Sequence, residues 1–321
     1  MRNGTPGHGD RSHFLQSKWK VNCRGVLSQG VAMDLQHCYN ASEDTFPLPP
    51  HIKERYGAFG FPPPRDPHRP YISSNFVMGL DGRASFRELK GRAGGREVSR
   101  SGEDRWLMDF LRAHHDGQLI GATTLREEQG PDARGEDYGI DDAQLRVYRE
   151  ETLGLDKQKI FVLTGSGNVA VTLRVFDSPR VEPWILTTTE GGKSLRSQLK
   201  MLGREGSIKI ISAGAGAEVD LVVAAQLLRQ QYGIRTLLCE GGPTLCGDLL
   251  RRQLIDEEFR TISLQVLGET TKPGIDRPTT YGKVSYTPET APWSRLISVH
   301  YALPYHVFLR LRYEGPRKFQ E

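Results

Sequence analysis

From Tyr71 onward, short apolar runs alternate with segments whose apolar residues recur at helical spacing. Short apolar runs bounded by glycine and polar turns predict buried strands, whereas recurrence at helical spacing predicts helices. The predicted strands are 71–80, 117–122, 159–164, 183–188, 208–214, 234–242 and 259–268, and the predicted helices are 101–116, 219–233 and 243–253. Ser101 is expected to cap the first of these helices. The alternation predicts an α/β fold with a mostly parallel central sheet and helices on both faces.

The two ends of the chain depart from this pattern. Residues 296–313 predict two strands joined at Leu303-Pro304, and so short a connection makes them antiparallel. Residues 47–70 are interrupted by prolines, each of which fixes φ and removes an amide donor, so we expect a lead-in on the surface with a short helix at His51–Tyr56. We therefore divide the chain into an N-terminal proline-rich extension, 1–68, and one main domain, 69–315.

Charge and composition narrow the class of protein. Lys and Arg number 43 against 39 Asp and Glu, and the two signs are mixed along the chain, so we expect no nucleic-acid partner. No run approaches the roughly 20 apolar residues of a membrane span, and the opening MRNGTPGHGD is polar, so we expect a cytoplasmic protein without membrane contact. The four cysteines do not form C-x-x-C pairs, and buried thiols are the simplest interpretation.

The segment LLCEGGPTLCGDLL (237–250) carries the strongest chemical signal. A buried strand runs into Gly241-Gly242 and then directly into a helix that begins near Pro243, which leaves free N–H groups at the positive end of the helix dipole. A pyrophosphate fits such a bend, and the Thr244 hydroxyl can add a donor. The alternative is an ordinary strand-to-helix turn. The glycines do not form the G-x-G-x-x-G fingerprint, so a standard Rossmann site is disfavoured.

Two further strand ends carry hydroxyl groups. Gly121 to Thr124 follow one strand, and TGSGN (164–168), which contains Ser166, follows another. Ligands of open α/β sheets collect at this edge of the sheet. Glycine and threonine are also common in loops, so this signal is weak by itself.

Three segments resemble the motif blocks of the riboflavin-biosynthesis reductase (RibD C-terminal) family. They are RPYISSNFVMGLDG ending at Gly82, LRAHHDGQLIGATTL (111–125) and LCEGGPTLCGDLLRRQLIDEEFRTISLQVLG (238–268), in the family's order and spacing. The resemblance implies a dihydrofolate-reductase-like fold, NADPH as cofactor, a homodimer, and reduction of the ribose carbon of a phosphorylated aminopyrimidine. No H-x-E or P-C-x-x-C segment is present to hold the zinc of a deaminase, so neither a metal nor deamination is predicted.

The resemblance also implies which residues bind which molecule. The cofactor positions fall on Thr124, Glu128, Gly242, Pro243, Thr244, Leu245 and Cys246. Ser166 follows a strand at a point where its hydroxyl can meet the 2′-phosphate of NADPH. Arg112 matches a substrate-contacting arginine and Glu240 a substrate-side carboxylate, although Arg112 has Asp109 and Asp116 on its own helix as alternative partners and Glu240 can be a structural acceptor. Asp81 is a substrate-orienting candidate, with a turn-stabilising role as the alternative. No proton donor is evident.

The chain departs from the family pattern on the substrate side. Gly79 stands where bifunctional members have serine, Val98-Ser99-Arg100 replaces a Trp-Ile-Ser-like segment, and Glu128 stands where aspartate is usual. An insertion-like stretch, 130–142, follows. Three hypotheses therefore stay open: the riboflavin-pathway reductase, a reductase of the same fold that acts on another pterin-like, pyrimidine or carbonyl substrate, and a non-catalytic nucleotide-binding protein.

Overall fold

The computed structural model describes residues 35–89, 94–127, 135–270 and 272–316. Within these residues ten strands form one mixed sheet. The strands are β1 (Gln36–Asn40), β2 (Tyr71–Met78), β3 (Gly117–Gly121), β4 (Gln158–Thr164), β5 (Val181–Thr187), β6 (Lys209–Ser212), β7 (Thr236–Cys239), β8 (Glu257–Ser263), β9 (Pro292–Ala302) and β10 (His306–Pro316). Their order is β1-β9-β10-β8-β2-β7-β3-β4-β5-β6.

The sheet is parallel from β8 through β2, β7, β3, β4 and β5 to β6. The strands β10, β9 and β1 extend it in antiparallel pairing at the β8 side. Both the mostly parallel sheet and the antiparallel C-terminal strands predicted from the sequence are confirmed.

Eight α-helices are present in the described part of the chain. They are α1 (Pro50–Tyr56), α2 (Gly95–Ser99), α3 (Gly102–His114), α4 (Ala122–Glu127), α5 (Ala143–Val147), α6 (Thr189–Met201), α7 (Leu221–Gln230) and α8 (Pro243–Arg251), and α5 runs into a π-helical turn at Tyr148–Thr152. The helices α7 and α8 share a core with Phe161 on one face of the sheet, whereas neighbouring residues of β4 pack with α4 and α6 on the other. The predicted Ser101 cap is confirmed, because its side chain accepts the Asp104 N–H. None of the described helices is long and apolar enough to cross a membrane.

The lead-in packs into the core, so the prediction that it wraps on the surface is wrong. Ile52, Tyr56 and Phe59 are buried among aromatic residues of α3 and β8, and β1 pairs with β9. Ile52 and Tyr56 share one face of the short helix α1, and Phe59 follows in irregular backbone. So short a stretch between prolines has too few apolar positions for the local pattern to reveal a buried face. The short predicted helix is confirmed, while the boundary between 68 and 69 stays a prediction.

The helix α6 was not predicted from the sequence. Its first turn contains Gly191 and Gly192, and only Leu195 and Leu199 mark its apolar face in the segment. Gly191 is needed because a Cβ there would lie 2.2 Å from Thr187 Oγ1. Packing on the sheet therefore overrides the low helical propensity of two glycines.

Three buried histidines make stability depend on pH. Burial lowers the pKa of His114 to about 3 and that of His115 and His300 to about 4. An unfolded histidine titrates near 6.5, so between these values the unfolded chain binds more protons and stability is lost as the pH falls. We expect the free energy of unfolding to drop by up to about 1.4 kcal/mol per pH unit for each histidine in this window.

Chemical denaturation between about pH 7 and pH 4.5 checks this expectation. The variant His115→Gln keeps polar partners for Ser73 and the Leu111 carbonyl and removes one titrating group, so its stability falls less steeply than that of the wild type. Equal slopes for the two proteins contradict the assignment of a neutral, buried His115.

Candidate active site

A cavity of about 3080 Å³ opens along the carboxyl ends of β2, β3, β4 and β7. It runs from the start of α8 and the loop after β4 at one end to α2 and α3 at the other. This is the edge at which open α/β sheets bind ligands. The two ends differ in chemistry, and the predicted cofactor and substrate residues divide between them.

The glycine pair brings two strand ends into close contact. The Gly242 N–H donates to Thr124 Oγ1 at 3.0 Å, which joins two of the motif blocks. A Cβ on Gly242 would lie 2.8 Å from that oxygen, and a Cβ on Gly241 would lie 3.0 Å from Ile120 Cγ2. The bare bend therefore has a packing role between β7 and β3. Gly241 does not line the cavity, whereas Gly242 does.

The first turn of α8 faces the cavity. Pro243, Thr244 and Leu245 all line it. The backbone N–H groups of Thr244 and Leu245 have no acceptor among the described residues, so they remain available to a ligand at the positive end of the helix dipole. Cys246 does not line the cavity: it is fully buried, its N–H donates to the Gly242 carbonyl at 3.1 Å, and burial raises the pKa of its thiol well above the usual value.

The wall beside α8 carries hydroxyl groups and a cation. Thr123, Thr124 and Ser166 line the cavity. Arg126 links α4 to the loop after β4, because it donates to Thr123 Oγ1 of its own helix at 2.9 Å and to the Asn168 carbonyl at 3.3 Å. Ser166 is exposed, and its Oγ accepts the Asn168 N–H at 3.2 Å. Glu128 lies outside the described residues.

At the other end, Arg112 and Glu240 form a buried ion pair. Arg112 Nε lies 3.0 Å from Glu240 Oε1, and Nη2 lies 2.7 Å from Oε2. Their side chains are only 1% and 5% exposed. Burial alone would lower the pKa of Arg112, but Glu240 raises it above its usual value, so Arg112 keeps its charge. The two predicted substrate residues are therefore each other's main partners.

The two alternative partners of Arg112 contact it at longer distance or pair with another residue. Asp109 Oδ1 is 3.9 Å from Arg112 Nη1, and Asp109 Oδ2 instead accepts the N–H groups of Asp141 and Asp142, both at 2.9 Å. Asp116 pairs with Arg235.

An acidic segment, 135–142, closes this end of the cavity. The Gly139 carbonyl accepts from Arg112 Nη1 at 3.0 Å. Asp137 pairs with Arg180, and Asp141 pairs with both Arg180 and Arg105. Sequence reasoning assigned none of these residues a role, and the insertion-like stretch was the one signal that pointed to them.

Asp81 lies away from the cavity lining. Its carboxylate accepts the Gly268 N–H at 2.6 Å. Partial burial would raise the pKa of Asp81, but hydrogen bonds from backbone amides, beginning with Gly268, lower it below the usual value. These contacts agree with the turn-stabilising alternative, and the substrate role stays a prediction.

Comparison with known proteins decides the family. Residues 70–280 match the model of the RibD C-terminal domain. The chain belongs to this family. The resemblance found in the sequence is therefore confirmed over most of the described chain.

Two characterised relatives of this RibD C-terminal domain protein share about a quarter of its residues over the aligned regions. The riboflavin biosynthesis protein RibD of Escherichia coli (strain K12) is 27% identical over 223 residues, which cover 65% of this chain and 53% of that protein. A 2,5-diamino-6-ribosylamino-4(3H)-pyrimidinone 5′-phosphate reductase of Aquifex aeolicus is 26% identical over 202 residues, which cover 62% of this chain and 78% of that protein. The chain thus spans about half the length of the Escherichia coli relative.

Solved structures share the fold. A pyrimidine reductase-like protein of Corynebacterium diphtheriae superposes with a TM-score of 0.59 at 19% identity and covers 82% of this chain and 97% of its own. The riboflavin biosynthesis reductase Rib7 of Saccharomyces cerevisiae gives a TM-score of 0.51 at 16% identity, with coverage of 78% and 92%. These likenesses confirm the dihydrofolate-reductase-like α/β fold.

Proposed function

We propose that this protein is an NADPH-dependent reductase of a small, phosphorylated aminopyrimidine. The observation that carries the proposal is the free first turn of α8 in a large cavity at the carboxyl edge of the sheet. The relatives named as reductases of a ribosylamino-pyrimidinone 5′-phosphate support the choice of substrate.

The residues at the α8 end fit a dinucleotide. The free N–H groups of Thr244 and Leu245 can bind a pyrophosphate, and the Thr244 hydroxyl can add a hydrogen bond. Arg126 of α4 and Ser166 of the loop after β4 suit a further phosphate, which is the group that distinguishes NADPH from NADH. When bound, NADPH supplies hydride.

The chain's own residues would hold and orient the acceptor. Glu240 has lone pairs beyond those that Arg112 uses, so it can accept from an amino or hydroxyl group of the substrate while Arg112 fixes its orientation. Hydride transfer depends on such alignment, and positioning can supply a large part of the reduction in barrier.

A second candidate is a reductase of the same fold that acts on another pterin-like, pyrimidine or carbonyl substrate. The acidic segment 135–142 favours it, because this segment neutralises Arg105 and Arg180 at the end of the cavity where an anionic group would otherwise bind. We also propose a homodimer, which the family implies, and a cytoplasmic location, which the composition favours.

Purified protein mixed with NADPH and the phosphorylated aminopyrimidine tests the proposal. We expect saturable quenching or enhancement of NADPH fluorescence and substrate-dependent loss of NADPH absorbance. Binding without oxidation by this substrate, followed by oxidation with another carbonyl or pterin-like acceptor, favours the second candidate. Failure to bind NADPH contradicts both.

A further inference from the structure

Asp104 occupies an unusual position for an acid in the first turn of a helix. Its backbone N–H donates to Ser101 Oγ at 3.3 Å, and its carboxylate turns toward the sheet, where Oδ1 accepts from Thr261 Oγ1 at 2.5 Å. It also lines the cavity. An acid in the first turn of a helix is already favourable near the helix dipole while in solvent. The dipole therefore does not explain why the Asp104 carboxylate turns toward the sheet.

The strand register places Asp104 beside the substrate end. Thr261 of β8 lies opposite Val77 of β2, and Asn75 precedes Val77 on the same face of β2. Ser74 lies opposite Cys239, so Asn75 is level with Glu240 at the end of β7. Asn75, Asp104 and Glu240 all line the cavity. A substrate held between Asn75 and Glu240 therefore lies next to Asp104.

The groups around Asp104 favour its protonated form. Burial raises the pKa of this carboxyl, and hydrogen bonds from Thr261 and Ser99, with charges on His306 and Arg105, offset only part of that effect. His306 bonds to the Ser99 carbonyl at 2.8 Å, and Arg105 is engaged by Glu136 and Asp141. Asp104 forms no salt bridge with a residue of α3, β8 or β10.

The arginines and three other acids of the cavity are poorly suited to give up a proton. Arginine does not deprotonate in proteins. Asp137 and Asp141 pair with arginines, and although burial would raise the pKa of each carboxyl, hydrogen bonds from these arginines lower it. Glu240 is engaged by Arg112.

We propose that Asp104 is the catalytic acid of the reduction, an inference that rests on the reductase function above. Hydride adds to the carbon of a C=N or C=O bond, and the π electron pair moves to the nitrogen or oxygen. That atom takes the proton of the Asp104 carboxylic acid, which becomes a carboxylate. The substrate is reduced, NADPH is oxidised to NADP⁺, and Asp104 regains a proton from solvent through the open cavity.

The variant Asp104→Asn tests this role, because it keeps the size and the acceptor for Thr261 but carries no acidic proton. We expect kcat to fall by about 100-fold or more, with loss of the high-pH limb of the rate profile and an unchanged Kd for NADPH. The matched control is Glu103→Gln, the adjacent acid of the same turn, which pairs with Arg55 and does not line the cavity. It should keep wild-type kinetics. An Asp104→Asn enzyme with wild-type kcat and pH profile overturns the proposal.

Infrared titration of the full chain separates this inference from the proposed function. A protonated carboxyl stretch that persists above the usual titration range of aspartate and vanishes in Asp104→Asn, but not in Glu103→Gln, supports the acid even if the wild type fails to reduce the chosen substrate. Absence of that signal overturns the acid, whether or not the enzyme turns over.

Discussion

Replacing Gly242 with aspartate should weaken NADPH binding by at least about 100-fold, which corresponds to about 2.8 kcal/mol. The new carboxylate would lie at the start of α8, where it repels a phosphate and competes for the N–H groups of Thr244 and Leu245. Its Cβ would also lie 2.8 Å from Thr124 Oγ1 and disturb the hydrogen bond that joins the two strand ends.

Two further variants separate charge from shape in this experiment. Gly242→Ala introduces the same Cβ without a charge, so we expect it to retain more affinity than Gly242→Asp. Ser197→Asp adds a negative charge on an exposed position of α6 away from the cavity and should bind NADPH as the wild type does. Fluorescence titration gives the affinities, and thermal unfolding confirms that each variant is folded. Wild-type affinity in a folded Gly242→Asp protein contradicts the phosphate assignment.

Removing one member of the buried Arg112–Glu240 pair should destabilise the protein by about 3–5 kcal/mol, because the remaining charge is left buried and unpaired. Arg112→Met leaves Glu240 without its main partner, and Glu240→Leu leaves Arg112 without its own. Chemical denaturation measures both effects.

The double variant Arg112→Met, Glu240→Leu distinguishes a structural role of the ion pair from a role in orienting the substrate. Replacing both charges with apolar groups should recover most of the lost stability, and NADPH affinity should be retained because the first turn of α8 is untouched. Turnover should stay low if the pair orients the substrate. A double variant with wild-type kcat/KM shows that the pair is purely structural.

Much of the fold was predictable because its signals are local. The helix α3 and the β7–α8 unit have apolar periodicity, a capping serine and a proline at the first helical position. The burial of the lead-in was not predictable, since Tyr56 and Phe59 pack against α3 and β8 through contacts far apart in the sequence. The order of strands in the sheet likewise depends on such long-range pairing.

Individual residues of the site were predictable from the sequence, but the hydrogen bonds and ion pairs between them were not. Thr124 and Gly242 were each assigned to the cofactor, but their hydrogen bond spans 118 residues and has no local signature. Arg112 and Glu240 were each expected to contact the substrate, whereas they are paired across 128 residues. The Ser101 cap of α3 was predicted, but no chemical role of Asp104 was, because the contact with Thr261 that turns it inward forms only in the folded sheet.

The most direct test of the cofactor assignment is a crystal structure with NADP⁺ bound. We expect the pyrophosphate oxygens within hydrogen-bond distance of the Thr244 and Leu245 N–H groups, with the nicotinamide directed toward Glu240. A pyrophosphate bound elsewhere, with the first turn of α8 in contact with solvent only, contradicts the account.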